Sequence, residues 1–200
     1  MRYPLKMTQI KDAAPGRRKR VSKQDWLNAA LELLVAGGIE AVRVERLAGQ
    51  LGVAKSGFYY HFRDRSDLHN ALLQYWLDLD QTPMKKLAEK PEAPPAERLK
   101  IIAEVVDRSN LSKFDFAMRQ WAGQDPKIRR SWQAEMKRRV GLIRDSFARL
   151  GFEGVELEMR TRLFVAYHVS ERDLFQDLSA ADRSRMRELR LMLLVEGKMA

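Results

Sequence analysis

Apolar residues recur along this chain at spacings of three and four, interrupted by short glycine- or proline-rich breaks, and that period predicts helices. From Ser22 onward, Trp26, Leu27, Ala30, Leu31, Leu34 and Val35 make one apolar face. Ser22 and Asp25, three apart, form a capping-box-like pair at the start of that helix. Gly37-Gly38 supplies its stop, because glycine adopts the left-handed conformation cheaply. A second helix is predicted over Val44–Leu51, burying Leu47, Ala48 and Leu51, with Gly52 just past its end and Val53 in the angle that follows. A third covers about 55–61; Phe58 and Phe62, four apart, face inward, while Ser56 and Gly57 keep the other side slim. A fourth starts near Ser66 or Asp67 with Leu68, Leu72, Tyr75, Trp76 and Leu79 on its apolar side, and Pro83 is expected to end or bend it. Beyond a linker at 89–95, EKPEAPP, further helices are read at about 96–108, 112–123, 126–150, 155–175 and 181–196. Pro126 suits a helix N-terminus, and Gly151 and Gly154 bracket a turn. No strand-length alternation and no internal repeat is found, so the fold class is all-α.

The stretch Arg43–Phe62, RVERLAGQLGVAKSGFYYHF, has the layout of a helix-turn-helix, a unit that lays its second helix in the DNA major groove. The predicted organisation is a disordered basic arm at 1–20, a three-helix DNA-binding head at 21–80 carrying the motif at 43–62, and a larger helical body at 81–200. Charge sharpens this division. Residues 1–66 carry 13 basic and 6 acidic side chains, a net of +7, whereas residues 67–200 carry 24 and 21, a net of +3. A polyanion-binding surface is therefore expected at the N-terminal end. Within the arm, Pro4, Pro15 and Gly16 break structure beside the cluster Arg17-Arg18-Lys19-Arg20. Such an arm either tracks phosphates or enters a minor groove, or it is a solvated tail.

With no cysteine, disulfides, thiolate zinc sites and cysteine nucleophiles are excluded, and a reducing cytoplasm is the expected location. No apolar run approaches the roughly 20 residues of a membrane span. The basic start lacks the apolar core of an export signal. No G-x-S-x-G, G-x-G-x-x-G or phosphate loop is present, and His61 and His69 are not spaced as a metal pair. The chain is read as no enzyme, with no metal site and no cofactor.

The residues Gly38, Leu47-Ala48, Leu51-Gly52-Val53, Phe58-Tyr59-Tyr60-His61-Phe62, Arg65 and Leu68 carry a resemblance to the tetracycline-repressor (TetR) family of transcriptional regulators, from Ser22 to about Trp76. WAGQDPKIRRSW at 121–132 is similar to a stretch of that family's body. Two departures stand out. Val42 and Arg43 occupy the place of a capping threonine, the loss of which typically costs about 1 kcal/mol. Gly57 stands where the recognition helix often has threonine, and glycine costs about 1 kcal/mol inside a helix.

On helix-turn-helix geometry, Lys55 and Ser56 lie where base edges are reached. Lys55 pairs with guanine O6/N7 or with a phosphate, and both readings stand. The resemblance implies backbone contacts from Tyr59 and His61. Tyr60 either joins them or packs on a neighbouring helix, and Gly57 lets the helix approach. Arg43, Arg63, Arg65 and Lys23 are expected at phosphates, whereas Phe58 and Phe62 belong to the core.

The resemblance further implies a pocket for an unknown small-molecule effector inside the body. Its candidates are Trp76, Phe114, Met118, Trp121, Trp132, Met136, Phe147 and His168, with Met84 and Phe116 beside them; each also reads as plain core. Homodimerisation is assigned to the last two helices, through Met159, Leu163, Ala166, Tyr167 and Ser170 on one and Met186, Leu189, Met192 and Leu193 on the other. The same stripes would also serve to close a monomer core. The function expected is a ligand-responsive repressor that binds palindromic double-stranded DNA as a dimer, with no membrane partner. The alternatives are an activator of the same family and a non-specific, charge-driven nucleic-acid binder.

Overall fold

A computed structural model describes residues 21–88, 90, 92–109, 112–174 and 178–196, some through their backbone alone; the arm at 1–20 lies outside them. Among the described residues every regular element is helical. The helices are α1 (Lys23–Gly37), a 3-10 turn (Ile39–Ala41), α2 (Val44–Leu51), α3 (Ser56–Tyr59), α4 (Arg65–Ala88), α5 (Pro95–Ser109), α6 (Ser112–Gln124), α7 (Pro126–Arg149), α8 (Gly154–Leu174) and α9 (Ala180–Val195). The chain divides into two compact units, Met1–Trp76 and Leu77–Ala200.

In the first unit, α1 opens on the capping box that its sequence announces. The Ser22 hydroxyl accepts from the Asp25 N–H at 3.2 Å, and Asp25 Oδ2 accepts from the Ser22 N–H at 2.8 Å. Gly38 ends the helix at φ 70°, and Gly52 ends α2 at φ 64°, both in the region that favours glycine. The core is Trp26, Leu27, Ala30, Leu31 and Leu34 of α1 with Ile39, Val42, Leu47, Ala48, Phe58, Phe62, Leu68, Leu72 and Trp76. Val35 is not part of it. At 37% exposed, it lies at the edge of the face centred on Trp26, Ala30 and Leu34. Leu51 is only partly buried.

Two boundaries differ from the sequence reading. Helix α3 has four residues instead of the seven at 55–61, and the chain tightens past its end, where the His61 N–H bonds to the Phe58 carbonyl only three residues back, at 2.9 Å. That tightening brings the Phe62 ring inside. Helix α4 runs through Pro83 to Ala88. Proline removes one backbone donor, but Leu87, a turn later, is buried in the core of the second unit and holds the helix on.

That second core joins Leu87, Leu99, Ile102, Ala103, Ile143, Phe147, Phe152, Leu157, Phe164 and Leu194. The Phe147 ring meets Phe152 and Phe164 edge-on at 6.2 and 6.1 Å. Helix α7 starts as Pro126 predicts, capped by Asp125, whose carboxylate accepts from the Lys127 and Ile128 N–H groups at 2.7 and 3.3 Å. The buried Arg160 of α8 donates to the Leu194 carbonyl at 2.6 Å and to Glu156 at 2.9 Å, and stacks over Phe152 at 4.0 Å. It thereby satisfies the open end of α9.

His168 sits among charged groups from two neighbouring helices. Its Nδ1–H donates to the Phe164 carbonyl at 2.8 Å, which leaves Nε2 to accept from Arg190 Nη2 at 3.1 Å. Arg187 and Asp107 pair beside it at 3.0 Å, and Arg190 lies over Tyr167 at 3.9 Å. Burial, and then the Arg190 charge, push its pKa down to about 4. Above the ordinary histidine value of about 6.5 the ring is neutral whether the chain is folded or not. As pH falls below that value the unfolded chain takes up a proton that the folded one refuses. Stability is therefore expected to fall by about 3 kcal/mol between that value and about pH 4. Urea unfolding across that range checks it, and His168→Gln should flatten the profile.

Candidate nucleic-acid interface

The recognition segment stands on an aromatic base. Phe58 and Phe62 are buried, with centroids 5.1 Å apart, and Trp26 meets Phe58 edge-on at 5.7 Å. Since α3 is a single turn, these rings turn the neighbouring residues outward. Lys55 and Ser56 are exposed, and Tyr59 and Tyr60 are 64% and 71% exposed. The Tyr60 ring meets the His61 ring edge-on at 5.0 Å while most of its side chain is exposed.

The side chains expected at phosphates are held within the head. Arg43 caps α2 without a side-chain acceptor; its Nε donates to the Glu40 carbonyl at 2.9 Å and its Nη2 lies 3.8 Å from the Glu40 carboxylate. Arg65 Nη2 donates to the Ile39 carbonyl at 3.1 Å and reaches Glu40 at 3.5 Å. Lys55 Nζ donates to Glu45 at 2.8 Å. Arg63 approaches Asp67 at 3.7 Å with its own side chain outside. His61 Nε2–H donates to the Val21 carbonyl at 3.1 Å, and Lys23 lies 5.3 Å above the Phe62 ring. Counting charges along the sequence misses Glu40, Glu45 and Asp67 as partners. The signal was the placing of Glu45 and Lys55 on either side of the Gly52 turn.

Gly57 needs no glycine geometry. An added Cβ meets Trp26 Cζ2 at 3.6 Å, ordinary van der Waals contact. Gly57→Ala is expected to stabilise the head by about 0.5–1 kcal/mol, since alanine restricts the unfolded chain and favours helix. A thermal melt that shifts upward checks this; a downward shift would show strain at the recognition turn.

In the body, Phe114, Met118, Trp121 and Phe147 are buried and Trp132, Met136 and His168 partly so, while Phe116 is half exposed. Trp76 is buried and is the last residue of the first unit. The Met84 side chain lies outside what is described. On α8, Met159 and Leu163 are each 51% exposed and Val155, absent from the sequence reading although one turn before Met159, is 80% exposed. Met186, Leu189, Met192 and Leu193 of α9 are exposed too, whereas Tyr167 and Ser170 are partly buried. Among the described residues no group of three or more His, Asp or Glu is placed to hold a metal, and no helix is long and apolar enough to cross a membrane.

Residues 27–72 match the family model described as bacterial regulatory proteins, tetR family. The chain is 32% identical over 123 residues to the HTH-type transcriptional regulator RutR of Escherichia coli K12, covering 58% of each chain. It thus spans under two thirds of the length of that curated relative. Its fold is similar to AibR solved with isovaleryl coenzyme A and operator DNA, with TM-score 0.69, 17% identity, and coverage of 90% of this chain and 100% of that one. It is likewise similar to FadR from Bacillus subtilis in complex with stearoyl-CoA, with TM-score 0.64, 18% identity, and coverage of 89% and 100%.

Proposed function

We propose, from the match of residues 27–72 to the family model of tetR bacterial regulatory proteins and the 32% identity over 123 residues to an HTH-type transcriptional regulator, that this chain is a sequence-specific transcriptional regulator of that family, a ligand-responsive repressor that grips a palindromic site as a homodimer. The observation that carries the reading is the recognition turn: Lys55, Ser56, Tyr59 and Tyr60 stand exposed on a segment whose other side is locked into the Trp26–Phe58–Phe62 core. An outward polar edge on a rigid base is what major-groove reading needs. Two heads must reach half-sites on the order of 34–36 Å apart, so the reading requires a dimer, and the exposed apolar stripes of α8 and α9 supply a surface for one.

The proposed effector binds the body and favours a state whose heads are misplaced for adjacent grooves. A preference of a few kcal/mol for that state is enough. The AibR and FadR structures, which hold isovaleryl coenzyme A and stearoyl-CoA, make acyl-CoA thioesters the first class to try.

The test is fluorescence anisotropy of the full chain on DNA from upstream of its own coding region and on scrambled DNA, at two salt concentrations. Tight, sequence-dependent binding that an acyl-CoA releases supports the whole reading. Equal binding to both duplexes that collapses with salt favours the charge-driven alternative.

A further inference from the structure

Helix α2 begins without a capping hydroxyl, and Glu45 stands in its first turn. The Glu45 carboxylate accepts from Lys55 Nζ at 2.8 Å, across the turn that joins α2 to α3, and the two side chains are 63% and 59% exposed. The Lys55 hydrogen bond above all, then a hydrogen bond from its own backbone N–H and the Lys55 charge, hold Glu45 below the usual carboxylate range. It is therefore ionised at neutral pH. Exposed pairs of this kind contribute little to stability, so the place of the pair matters more than its strength. Lys55 immediately precedes the recognition helix, and Glu45 lies where the first helix of the motif crosses the DNA backbone.

An ammonium has three donors. One is committed to Glu45, and two remain, the number that guanine O6 and N7 accept. A lysine tied on one side loses less freedom when it meets a base, and it cannot swing to an arbitrary phosphate. Resting on the DNA-binding reading above, we propose that Glu45 is a positioning residue for sequence recognition: it stays bonded to Lys55 in the DNA complex, aims the remaining donors at a base edge and denies the ammonium to phosphates. Discrimination then comes from weakened binding to wrong DNA as much as from added contacts to the right site.

The experiment uses the full chain and two duplexes of equal length, one selected by the wild type from random sequence and one of mixed sequence, across a salt series. Glu45→Ala is expected to bind the mixed duplex about fivefold more tightly near 0.1 M salt and to steepen its salt dependence by about 0.9, the value of one freed phosphate contact. Affinity for the selected duplex should not rise, so discrimination falls about fivefold. In a Lys55→Ala background, Glu45→Ala should leave the salt slope unchanged. A Glu45→Ala effect that is equal on both duplexes, or that persists without Lys55, overturns the proposal while the DNA-binding reading stands. A wild type that cannot tell the duplexes apart overturns both.

Discussion

Replacing Phe58 with alanine is expected to abolish DNA binding by dismantling the head rather than by removing a contact to DNA. The ring is fully buried and meets Trp26, Tyr59 and Phe62 at centroid distances of 5.7, 5.3 and 5.1 Å. Helix α3 has four residues, far below the roughly 12–15 that give even marginal helicity alone. Its geometry therefore comes from packing, and Phe58 is the one side chain of α3 inside the core. Truncating a buried phenylalanine costs about 3–5 kcal/mol, a large part of the 5–15 kcal/mol that holds a typical domain together. Tyr59→Phe is the informative contrast: it removes one exposed hydroxyl and should leave the melt unchanged while weakening DNA binding. Amide exchange of the head, read beside anisotropy, separates the two cases. A Phe58→Ala protein that keeps its amide protection and still binds DNA would show that the recognition turn is held by something other than this ring.

The head was legible because its signals are local. Ser22 with Asp25, Gly38, Gly52 and the Phe58–Phe62 spacing each act within a turn or two, and pattern reading registers that range. The destinations of the long cations were not legible. Arg65 reaches the Ile39 carbonyl 26 residues earlier, and Lys55 finds Glu45 across the turn. Charge counting assigns such residues to phosphate without seeing that the fold has already given them partners. Pro83 did not end α4 for the opposite reason: a strong local breaker was outweighed by the burial of Leu87 beyond it. The stripes of α8 were visible but ambiguous, since that helix carries two. Leu157, Thr161 and Phe164 line the buried side, whereas Val155, Met159 and Leu163 recur every four residues on the exposed one. Only the placement of the helix could say which stripe the monomer uses.

That exposed stripe leads to the second large effect. The double variant Leu163→Glu with Leu189→Glu is expected to be a monomer of 23.2 kDa by light scattering, against twice that mass for the proposed wild-type dimer. Both leucines are about half exposed in the single chain, so neither change opens a cavity, and the monomer's own melt should hardly move. Across a two-fold axis each change occurs twice, so the interface receives four carboxylates. Burying unpaired charge costs several kcal/mol per ion, which exceeds what a surface of about 800 Å² per partner can absorb. Loss of the dimer must then reach the DNA. Two linked heads bind adjacent half-sites with an effective-concentration advantage of about 10²–10⁴, and separate heads have none. Affinity for a palindromic duplex should fall by that factor, while affinity for a single half-site should not change. A double variant that stays dimeric would move the interface off α8 and α9 and leave Phe116 and Val140, the exposed apolar residues of α6 and α7, as the next surface to charge.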